Sequence, residues 1–404
     1  MASEHLKDSK KRKIVTPVQN LSSPIEAVTQ GPKHHFFGYY DKSPWSFSGR
    51  YMLALQVDFM DRPPASNDAA TVGIIDLKEN CSFKPLAQTY AWNWQQGTML
   101  QWLPRSSDRL IIYNTRERNR FASVILNIET GESRELPLPI YAISHDGRWA
   151  LSLNFARVAR TCSGYGYLGV SDLWMKEEAP KEDGIYLMNL ETGENQLVVS
   201  LAKMASFHPQ ADMKKTVHWF NHLLFSPDGQ RFIFLHRWTR ANNKRSWFTR
   251  LYTSDMNGED ICLLADDGMV SHFDWRDPIH ILAWARKKGV GDHYFPFTDK
   301  SEKFKIIGEG VLDCDGHCSY SPDRRWILTD TYPDKHHNRR LLLYQPETGK
   351  MVELSRFYSP PELHGEIRCD LHPRWSRDGC YVCIDSTHED TRQMYVIAVG
   401  SAVR

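Results

Sequence analysis

Histidines are the residues of this chain whose type and position most directly suggest chemistry. Imidazole gains and loses a proton near neutral pH, and its neutral form is a common ligand of transition metals. Histidines brought together in a fold must therefore stay neutral, pair with carboxylates or bind a metal. The alternative is that each histidine is structural and ties its own strand to a neighbouring turn. The candidates are His34, His35, His222, His272, His317 and His372.

The stretch from His222 to His236 shows the element that positions these histidines. It contains the turn sequence Ser226-Pro227-Asp228-Gly229 between two runs of aromatic and aliphatic residues. Proline presets φ, aspartate bonds the nearby backbone and glycine accepts a positive φ, so this sequence predicts a strand, a tight turn and a second strand. Weaker copies begin at Ser144, Ser321 and Ser376. Recurrence at intervals of roughly 40 to 60 residues is typical of propeller blades.

Seven such units can be placed along the chain. They predict an all-β fold, a seven-bladed β-propeller of four-stranded antiparallel blades, with residues 31–404 as one domain. Residues 1–30 are interpreted as an N-terminal tail or a closing strand. An irregular stretch, residues 157–182, interrupts the third blade. Because the innermost strands of a propeller line its central channel, equivalent positions in different blades are expected to meet at the axis.

Composition limits the partners. The formal net charge of +1 gives no whole-chain reason to expect nucleic acid or a membrane surface as partner. The sequence contains no apolar run of about 18 residues, the length that would predict a membrane span. No apolar signal core follows the basic residues 10–13. We therefore expect a cytoplasmic monomer, or a secreted or periplasmic protein if a signal has been removed. The eight scattered cysteines do not form the pattern of a disulfide scaffold.

A metal site is the first functional hypothesis. His236, His272, His317 and Cys318 offer nitrogen and sulfur donors, a combination that suits zinc, with manganese and calcium as alternatives. No zinc-binding spacing such as HExxH or CxxC supports this set. Possible additional ligands or supporting residues are Asp313, Cys314 and Asp370.

Three stretches carry a resemblance to a known group: residues 34–45, residues 141–167 and residues 222–236. They resemble the seven-bladed β-propeller polysaccharide lyases, especially the ulvan lyases, and more distantly oligogalacturonate lyase. The resemblance implies cleavage of uronic-acid-containing oligo- or polysaccharides by β-elimination. Such a reaction needs a positive charge on the uronate carboxylate, a base for the C5 proton and an acid for the O4 leaving group.

The resemblance also implies roles for individual residues. His35 matches a first-blade catalytic histidine, Tyr141 a tyrosine acid or base, and Arg157 the arginine that neutralises the carboxylate. His222 matches a further active-site histidine, and His236 a metal ligand. The residues expected to bind substrate are His34, Tyr40, Gln56, Arg160, Tyr165 and Tyr167.

One departure from the family pattern leaves the activity open. The family's second catalytic histidine, late in the first blade, falls at Gln56, and glutamine cannot act as a general base. Either His35 or His222 works alone with Tyr141, or the substrate has changed, or the protein has no lyase activity. The alternative function is a non-catalytic propeller, either a carbohydrate-binding module or a protein-interaction scaffold.

Overall fold

Seven antiparallel sheets form the chain, and they confirm the predicted seven-bladed propeller. The structure is a computed structural model that describes residues 19–20, 24–240, 243–301 and 303–403; the predicted basic tail at residues 1–13 lies outside these ranges. The strands are given from the axis outward. Blade 1 comprises His34–Phe36, Tyr51–Val57, Ala70–Asp76 and Ser82–Thr89, and blade 2 comprises Gln101–Trp102, Leu110–Glu117, Arg120–Asn127 and Ser133–Leu136. Blade 3 comprises Ala142–Ile143, Trp149–Ser152, Gly184–Asn189 and Asn195–Ser200.

Among the later blades, blades 5 and 6 deviate from four strands in the described residues. Blade 4 comprises His218–Phe225, Arg231–Arg240, Asn243–Asp255 and Cys262–Ala265. Blade 5 comprises Val270–Asp277, His280–Lys287 and Gly291–Thr298. Blade 6 comprises Ser319–Tyr320, Ile327–Asp330, Asn338–Gln345 and Lys350–Tyr358. Blade 7 contains Arg374–Trp375, Tyr381–Glu389 and Thr391–Ala398. The described part of blade 5 thus has three strands, and blade 6 gains a fifth, because Gln19–Asn20 pairs in parallel with its outer strand.

The ring is closed by the start of the chain. Ile25–Ala27 forms the fourth, outermost strand of blade 7 and pairs antiparallel with Thr391–Ala398, with Ile25 opposite Ile397. Val28 continues the pairing, since its N–H donates to the Met394 carbonyl at 2.9 Å. Blade 7 is therefore built from both ends of the described chain.

The repeated turn sequence closes the inner hairpins as predicted. The Ser226 hydroxyl donates to Asp228 Oδ1 at 2.6 Å, the Arg231 N–H donates back to the Ser226 hydroxyl at 3.0 Å, and Gly229 has φ 69°. Hydroxyl–carboxylate distances of 2.6, 2.5 and 2.5 Å recur in the copies at Ser144, Ser321 and Ser376. In the copy at Ser321 the glycine position is occupied by Arg324, which still adopts φ 62°.

The second strand of blade 4 shows why the blade interiors are apolar on both faces. Phe232, Ile233, Phe234 and Leu235 are all fully buried, because each face of a blade packs against a neighbouring blade. Such a strand reads as a continuous apolar run rather than an alternating one.

Helices are short. The two α-helices, α1 and α2, span Phe155–Thr161 and Leu201–Ser206, and single 3₁₀ turns span Ala211–Met213 and Gly365–Ile367. Among the described residues no helix has the length and apolar character needed to cross a membrane. Helix α1 opens the irregular stretch predicted within blade 3.

Candidate active site

The chain crosses the central channel immediately after the first strand of blade 1. Gly38 makes the crossing possible, since it has φ 128° and a Cβ there would lie 2.7 Å from the Gln96 carbonyl oxygen. The crossing places Tyr39 and Tyr40 inside the channel, where both are buried. The Tyr40 hydroxyl is fixed by the backbone of Phe273, with its carbonyl and N–H each at 2.9 Å.

Four of the six predicted histidines meet around Tyr39. Ring centroids lie 5.0 Å from Tyr39 for His222, which stacks on it, and 5.0 Å for His372, which meets it edge-on. His317 lies between two others, 4.2 Å from His272 and 4.3 Å from His372. Blades 4 to 7 each contribute one imidazole to the axis.

His222 shares a hydrogen-bonded group with Tyr141. The Tyr141 hydroxyl lies 3.1 Å from His222 Nδ1 and accepts from Gln96 Nε2 at 2.6 Å. Tyr39 Oη lies 3.5 Å from His222 Nε2. Gln96 Oε1 and Asn221 Nδ2, at the same place, are buried without a hydrogen-bond partner among the described residues. Buried polar atoms are normally paired, so two unpaired atoms in side chains that contact Tyr141 are unusual.

Burial sets the protonation of this group. Burial, helped by Arg237, holds the pKa of His222 well below its usual range. Burial raises the pKa values of Tyr39 and Tyr141 well above theirs. At neutral pH the imidazole is therefore a neutral proton acceptor beside two protonated phenols.

A second group at the axis has the composition of a metal site. Ligand atoms of His317, Asp370 and His372 lie within 4.8 Å of one another, and all three residues are buried. His317 Nδ1 donates to Asp330, at 2.9 and 3.0 Å from its two oxygens, which leaves Nε2 as the atom with the free lone pair. The Nε2 atoms of His317 and His372 are buried and have no hydrogen-bond partner in the described part of the chain.

This donor set fits a divalent cation. Two imidazoles and a carboxylate suit zinc or manganese, and a carboxylate behind a ligand histidine is a common support for a metal. Burial, with His317, keeps the pKa of His372 well below its usual range, so its imidazole is neutral and able to bind.

Two arginines also hold Asp370. Arg368 Nε lies 2.7 Å from Oδ2 and Arg339 Nη2 lies 2.8 Å from Oδ1. Burial raises the pKa of Asp370, but the two guanidinium groups outweigh it and hold that pKa well below its usual range. The carboxylate is therefore ionised, and its charge is already shared by two cations.

Two of the four axial histidines, His222 and His372, have a backbone conformation that is uncommon for residues other than glycine. His222 has φ 52° and His372 has φ 42°, and the pairing of blade 4 shifts register between Asn221 and Leu224. A positive φ is costly for a histidine and is concentrated at functional sites. His222 lies within this irregular stretch, and its ring stacks on Tyr39.

A loop covers the histidines. Tyr165 packs over His222 and Tyr39, at ring distances of 5.8 and 6.4 Å. Its hydroxyl accepts from Arg368 Nη2 at 2.8 Å, and the neighbouring Ser163 hydroxyl bonds the Glu366 carboxylate. These two contacts, which we name the latch, join residues 163–165 to residues 366–368 and close this mouth of the channel.

Comparison with solved structures shows relatives of the fold. An oligogalacturonate lyase from Vibrio parahaemolyticus is 12% identical, with 96% of this chain and 97% of that chain covered and a TM-score of 0.65. An oligogalacturonate lyase in complex with manganese is 13% identical, with 95% and 96% covered and a TM-score of 0.67. The tricorn protease is 12% identical, with 92% of this chain and 34% of that chain covered and a TM-score of 0.51. The likeness is one of fold. No protein-family model and no curated protein matches the chain.

Of the first-blade residues predicted for the site, Tyr40 lies in the channel, whereas His34, His35 and Gln56 make their contacts with blade 7 and with one another. His35 Nδ1 donates to Gln393 Oε1 at 3.0 Å, and its Nε2 accepts from Gln56 at 2.8 Å. The ring packs on Phe83. His34 accepts from the backbone N–H of Arg392 at 3.4 Å. The structure thus brings Gln56 to His35, but it does not bring this pair to His222.

Arg157 organises the loop that follows helix α1. All its N–H groups face acceptors: the carbonyls of His218, Trp174, Glu177 and Glu178 and the Asp172 carboxylate. Its side chain is 1% exposed, so it has no donor left for a substrate. Arg160 also binds Asp172, at 2.7 Å, and is partly exposed. Tyr167 is buried, stacks on Phe155 and accepts from Asn114 at 3.0 Å.

The predicted metal residues are divided between places. His317 belongs to the group with Asp370 and His372, and His272 lies beside it, bonded to Asp315 at 3.0 Å. His236 lies outward in blade 4, where its Nε2 is 2.9 Å from His218 Nδ1. Cys318 packs in the apolar cluster between blades 5 and 6, and burial raises its pKa well above the usual range.

The sequence indicated Asp370 only as a possible ligand and gave no role to Gln96, Arg339 or Arg368. The segment Arg368-Cys369-Asp370-Leu371-His372 carried a usable signal, since alternate residues of an extended segment point the same way. Arg339 carried none, because only the folded ring brings it to Asp370.

Proposed function

We propose that this protein is a metal-dependent lyase that cleaves uronic-acid-containing oligosaccharides or polysaccharides by β-elimination. The observation that carries the proposal is the pairing, around Tyr39, of a neutral histidine bonded to a phenol with a His–Asp–His group suited to a divalent cation. The fold shared with two oligogalacturonate lyases supports it.

His222 is the proposed base for the C5 proton. With the proton on Nδ1, the imidazole donates to Tyr141, and Nε2 keeps its lone pair, which faces the Tyr39 hydroxyl at 3.5 Å. Tyr141, predicted from the sequence as acid or base, is the proposed donor to the O4 leaving group, since its raised pKa keeps the proton in place at neutral pH.

The carboxylate of the substrate needs positive charge, because removal of the C5 proton places negative charge on it. Arg368 and Arg339 supply that charge here, in place of the fully engaged Arg157. His317, Asp370 and His372 would hold the cation, which when bound adds positive charge for the same carboxylate. Zinc and manganese both fit these donors, and the sequence-based preference for zinc stays a prediction.

Substrate access requires the latch to open. Tyr141 is fully buried and His222 is 6% exposed, and the ring of Tyr165 lies over His222. An opened Tyr165 side chain would present its ring to a sugar, which agrees with the substrate-binding role predicted for it. Arg368, released by the same opening, would gain free donors.

The test is the ultraviolet absorbance of the unsaturated uronate product, with oligogalacturonate and ulvan among the substrates and with manganese or zinc added. His222→Asn and His372→Asn are matched variants, since asparagine tolerates the positive φ at both positions. We expect both to lose turnover, and only His372→Asn to lose bound metal by elemental analysis. Metal retained by His372→Asn would refute the metal assignment.

A non-catalytic propeller is the second candidate, and the closed latch is the observation that favours it. In that case the buried histidines stabilise the axis and the outer faces bind a glycan or a protein. If the folded, metal-loaded protein releases no unsaturated product from any substrate, the non-catalytic propeller replaces the lyase as the proposed function.

A further inference from the structure

One tyrosine exposes its ring to solvent beside the axial histidines, at the mouth of the channel that the latch closes. Tyr332 has 39% of its surface exposed, and its ring lies 6.1 Å from that of His317 at an interplanar angle of 49°. Tyr39, Tyr40 and Tyr141, which also contact the axial histidines, are buried. Tyr332 therefore offers an aromatic surface next to the candidate metal group while the latch is closed.

The local backbone holds Tyr332 at this place. It follows the second strand of blade 6, Ile327–Asp330, and precedes Pro333, which favours an extended backbone at the tyrosine. The Asp334 N–H donates to the Asn338 carbonyl at 3.0 Å and closes the loop in which the tyrosine lies. The ring is thus presented by an ordered hairpin rather than by a long loop.

The hydroxyl end of Tyr332 lies near the charged groups of the channel mouth. Burial of this end, with Asp370, Tyr165 and Asp315, raises the pKa of Tyr332 well above its usual range, so the phenol keeps its proton. Within the described part of the chain the hydroxyl makes no hydrogen bond. Both the ring and the hydroxyl of Tyr332 are therefore available to a ligand.

Asp315 is the polar group on the same side of the mouth. Its Oδ1 lies 3.0 Å from His272 Nδ1, and its side chain is 24% exposed. Its Oδ2 accepts no hydrogen bond from any residue that the structure describes. His272, the axial histidine with no part in the proposed chemistry, thus holds an accessible carboxylate with one free oxygen.

An exposed aromatic ring beside such a carboxylate suits a sugar unit. One face of a pyranose carries C–H groups that pack on an aromatic ring, and sugar hydroxyl groups donate to a carboxylate. A second carboxylate would instead be repelled by Asp315. The neighbouring guanidinium groups of Arg339 and Arg368 do not offset this repulsion, because Asp370 already holds both.

We propose that Tyr332 and Asp315 form the subsite for the sugar unit that adjoins the reacting uronate, and that this unit is a neutral sugar. The Tyr332 ring packs against its C–H face, and Asp315 Oδ2 accepts from its hydroxyl groups. The inference rests on the proposed function. It narrows the substrate to glycans in which uronates and neutral sugars are neighbours, since a chain of uronates alone would place a carboxylate against Asp315.

Calorimetric titration tests the subsite with two tetrasaccharides, one of alternating rhamnose and glucuronate and one of galacturonate alone. The metal-loaded His222→Asn chain is titrated, so that neither probe is cleaved. We expect the alternating probe to bind about tenfold tighter or more, because it avoids a like-charge contact. Asp315→Asn should bring the two dissociation constants within about threefold, because asparagine still accepts from His272 but carries no charge.

The Tyr332 variants separate stacking from the hydroxyl contact. Tyr332→Ala should weaken binding of the alternating probe by about tenfold, and Tyr332→Phe by about threefold or less, since phenylalanine keeps the ring. Asp313→Asn is the control for charge, because Asp313 is exposed and lies two residues from Asp315. Tyr358→Ala is the control for the ring, because Tyr358 is 48% exposed on the outer strand of the same blade. Both controls should bind as the parent chain does.

The outcomes separate this inference from the lyase proposal. Equal binding of the two probes, or a preference that survives Asp315→Asn, would overturn the subsite while product release by the wild type still supported the lyase. Binding that is unchanged by Tyr332→Ala would also overturn the subsite, and Asp315→Asn decides if Tyr332→Ala does not fold. If the folded wild type releases no unsaturated product and neither probe binds, the lyase proposal and this inference both fail.

Discussion

The hydroxyl of Tyr141 is enclosed by polar side chains. It contacts Gln96 and His222, with Asn221 at 3.5 Å. We expect Tyr141→Phe to reduce the turnover of a uronate substrate by about 10²- to 10⁴-fold, the usual contribution of a general acid or base. Turnover is measured from the absorbance of the unsaturated product.

Tyr167→Phe is the control for that loss. Tyr167 is also buried and hydrogen-bonded, to Asn114, so Tyr167→Phe loses one buried hydrogen bond, worth about 1 kcal/mol of unfolding free energy. Tyr141→Phe loses the contacts with Gln96 and His222. Only Tyr141→Phe should lose turnover. If Tyr39→Phe reduces turnover more than Tyr141→Phe does, Tyr39 and not Tyr141 is the acid.

The latch is the feature on which access depends at the scale of elements. Glu366 joins the loop before blade 7 to Ser163. We expect Glu366→Ala to loosen residues 163–166 and to raise their amide hydrogen exchange, because the remaining contact is the Tyr165–Arg368 bond. Glu362→Ala, an exposed change in the same loop, should leave exchange unaltered. Equal exchange in wild type and Glu366→Ala would show that Ser163–Glu366 does not hold the loop.

Local sequence predicted the blades well, because their determinants are local. Ser226, Asp228 and Gly229 form their turn with one another and need no distant partner. The same reason explains the success with Ser144, Ser321 and Ser376. The propeller then follows from repetition.

The candidate site was predicted only in part, because its contacts are long-range. His35 matched a family pattern, yet in the fold it binds Gln393, 358 residues away. Arg157 has the right residue type, but the loop that follows helix α1 uses all its donors. The family pattern matched the positions of these residues in the sequence, but it could not predict which distant side chains they contact in the fold.

Buried neutral histidines make the stability of the whole molecule depend on pH. The pKa values of His222, His236 and His372 lie well below the usual 6.5. Below pH 6.5 the unfolded chain therefore binds protons that the folded chain does not, and each histidine removes up to about 1.4 kcal/mol per pH unit. The stability is fully present above pH 6.5 and is lost as pH falls.

Two carboxyls act in the opposite direction. Burial raises the pKa values of Asp183 and Asp274 to about 6, above the usual 3.8, so protonation below about pH 6 favours the folded chain. The three histidines outweigh them, and we expect a lower urea midpoint at about pH 5.5 than at about pH 7.5. An unchanged midpoint would mean that the histidines are charged in the fold.

Closure of the ring contributes to stability through few residues. Deletion of residues 1–29 removes the outer strand of blade 7, the buried side chain of Val28 and the bond from the Met394 N–H to the Thr29 hydroxyl at 2.9 Å. We expect this deletion to lower the free energy of unfolding by at least about 2 kcal/mol. Deletion of residues 1–18, which keeps every described residue, is the control. Equal unfolding curves for the two deletions would show that the strand is dispensable.

The same closure means that the order of the blades in space does not depend on where the chain begins. Ile25 and Ile397 are neighbours in one sheet, so a short linker could join the two ends without crossing the ring. New ends could then be opened in an exposed outer hairpin, such as the turn at residues 191–193. In such a circular permutant blade 7 becomes one continuous piece of chain, while blade 3 becomes the blade that two ends complete.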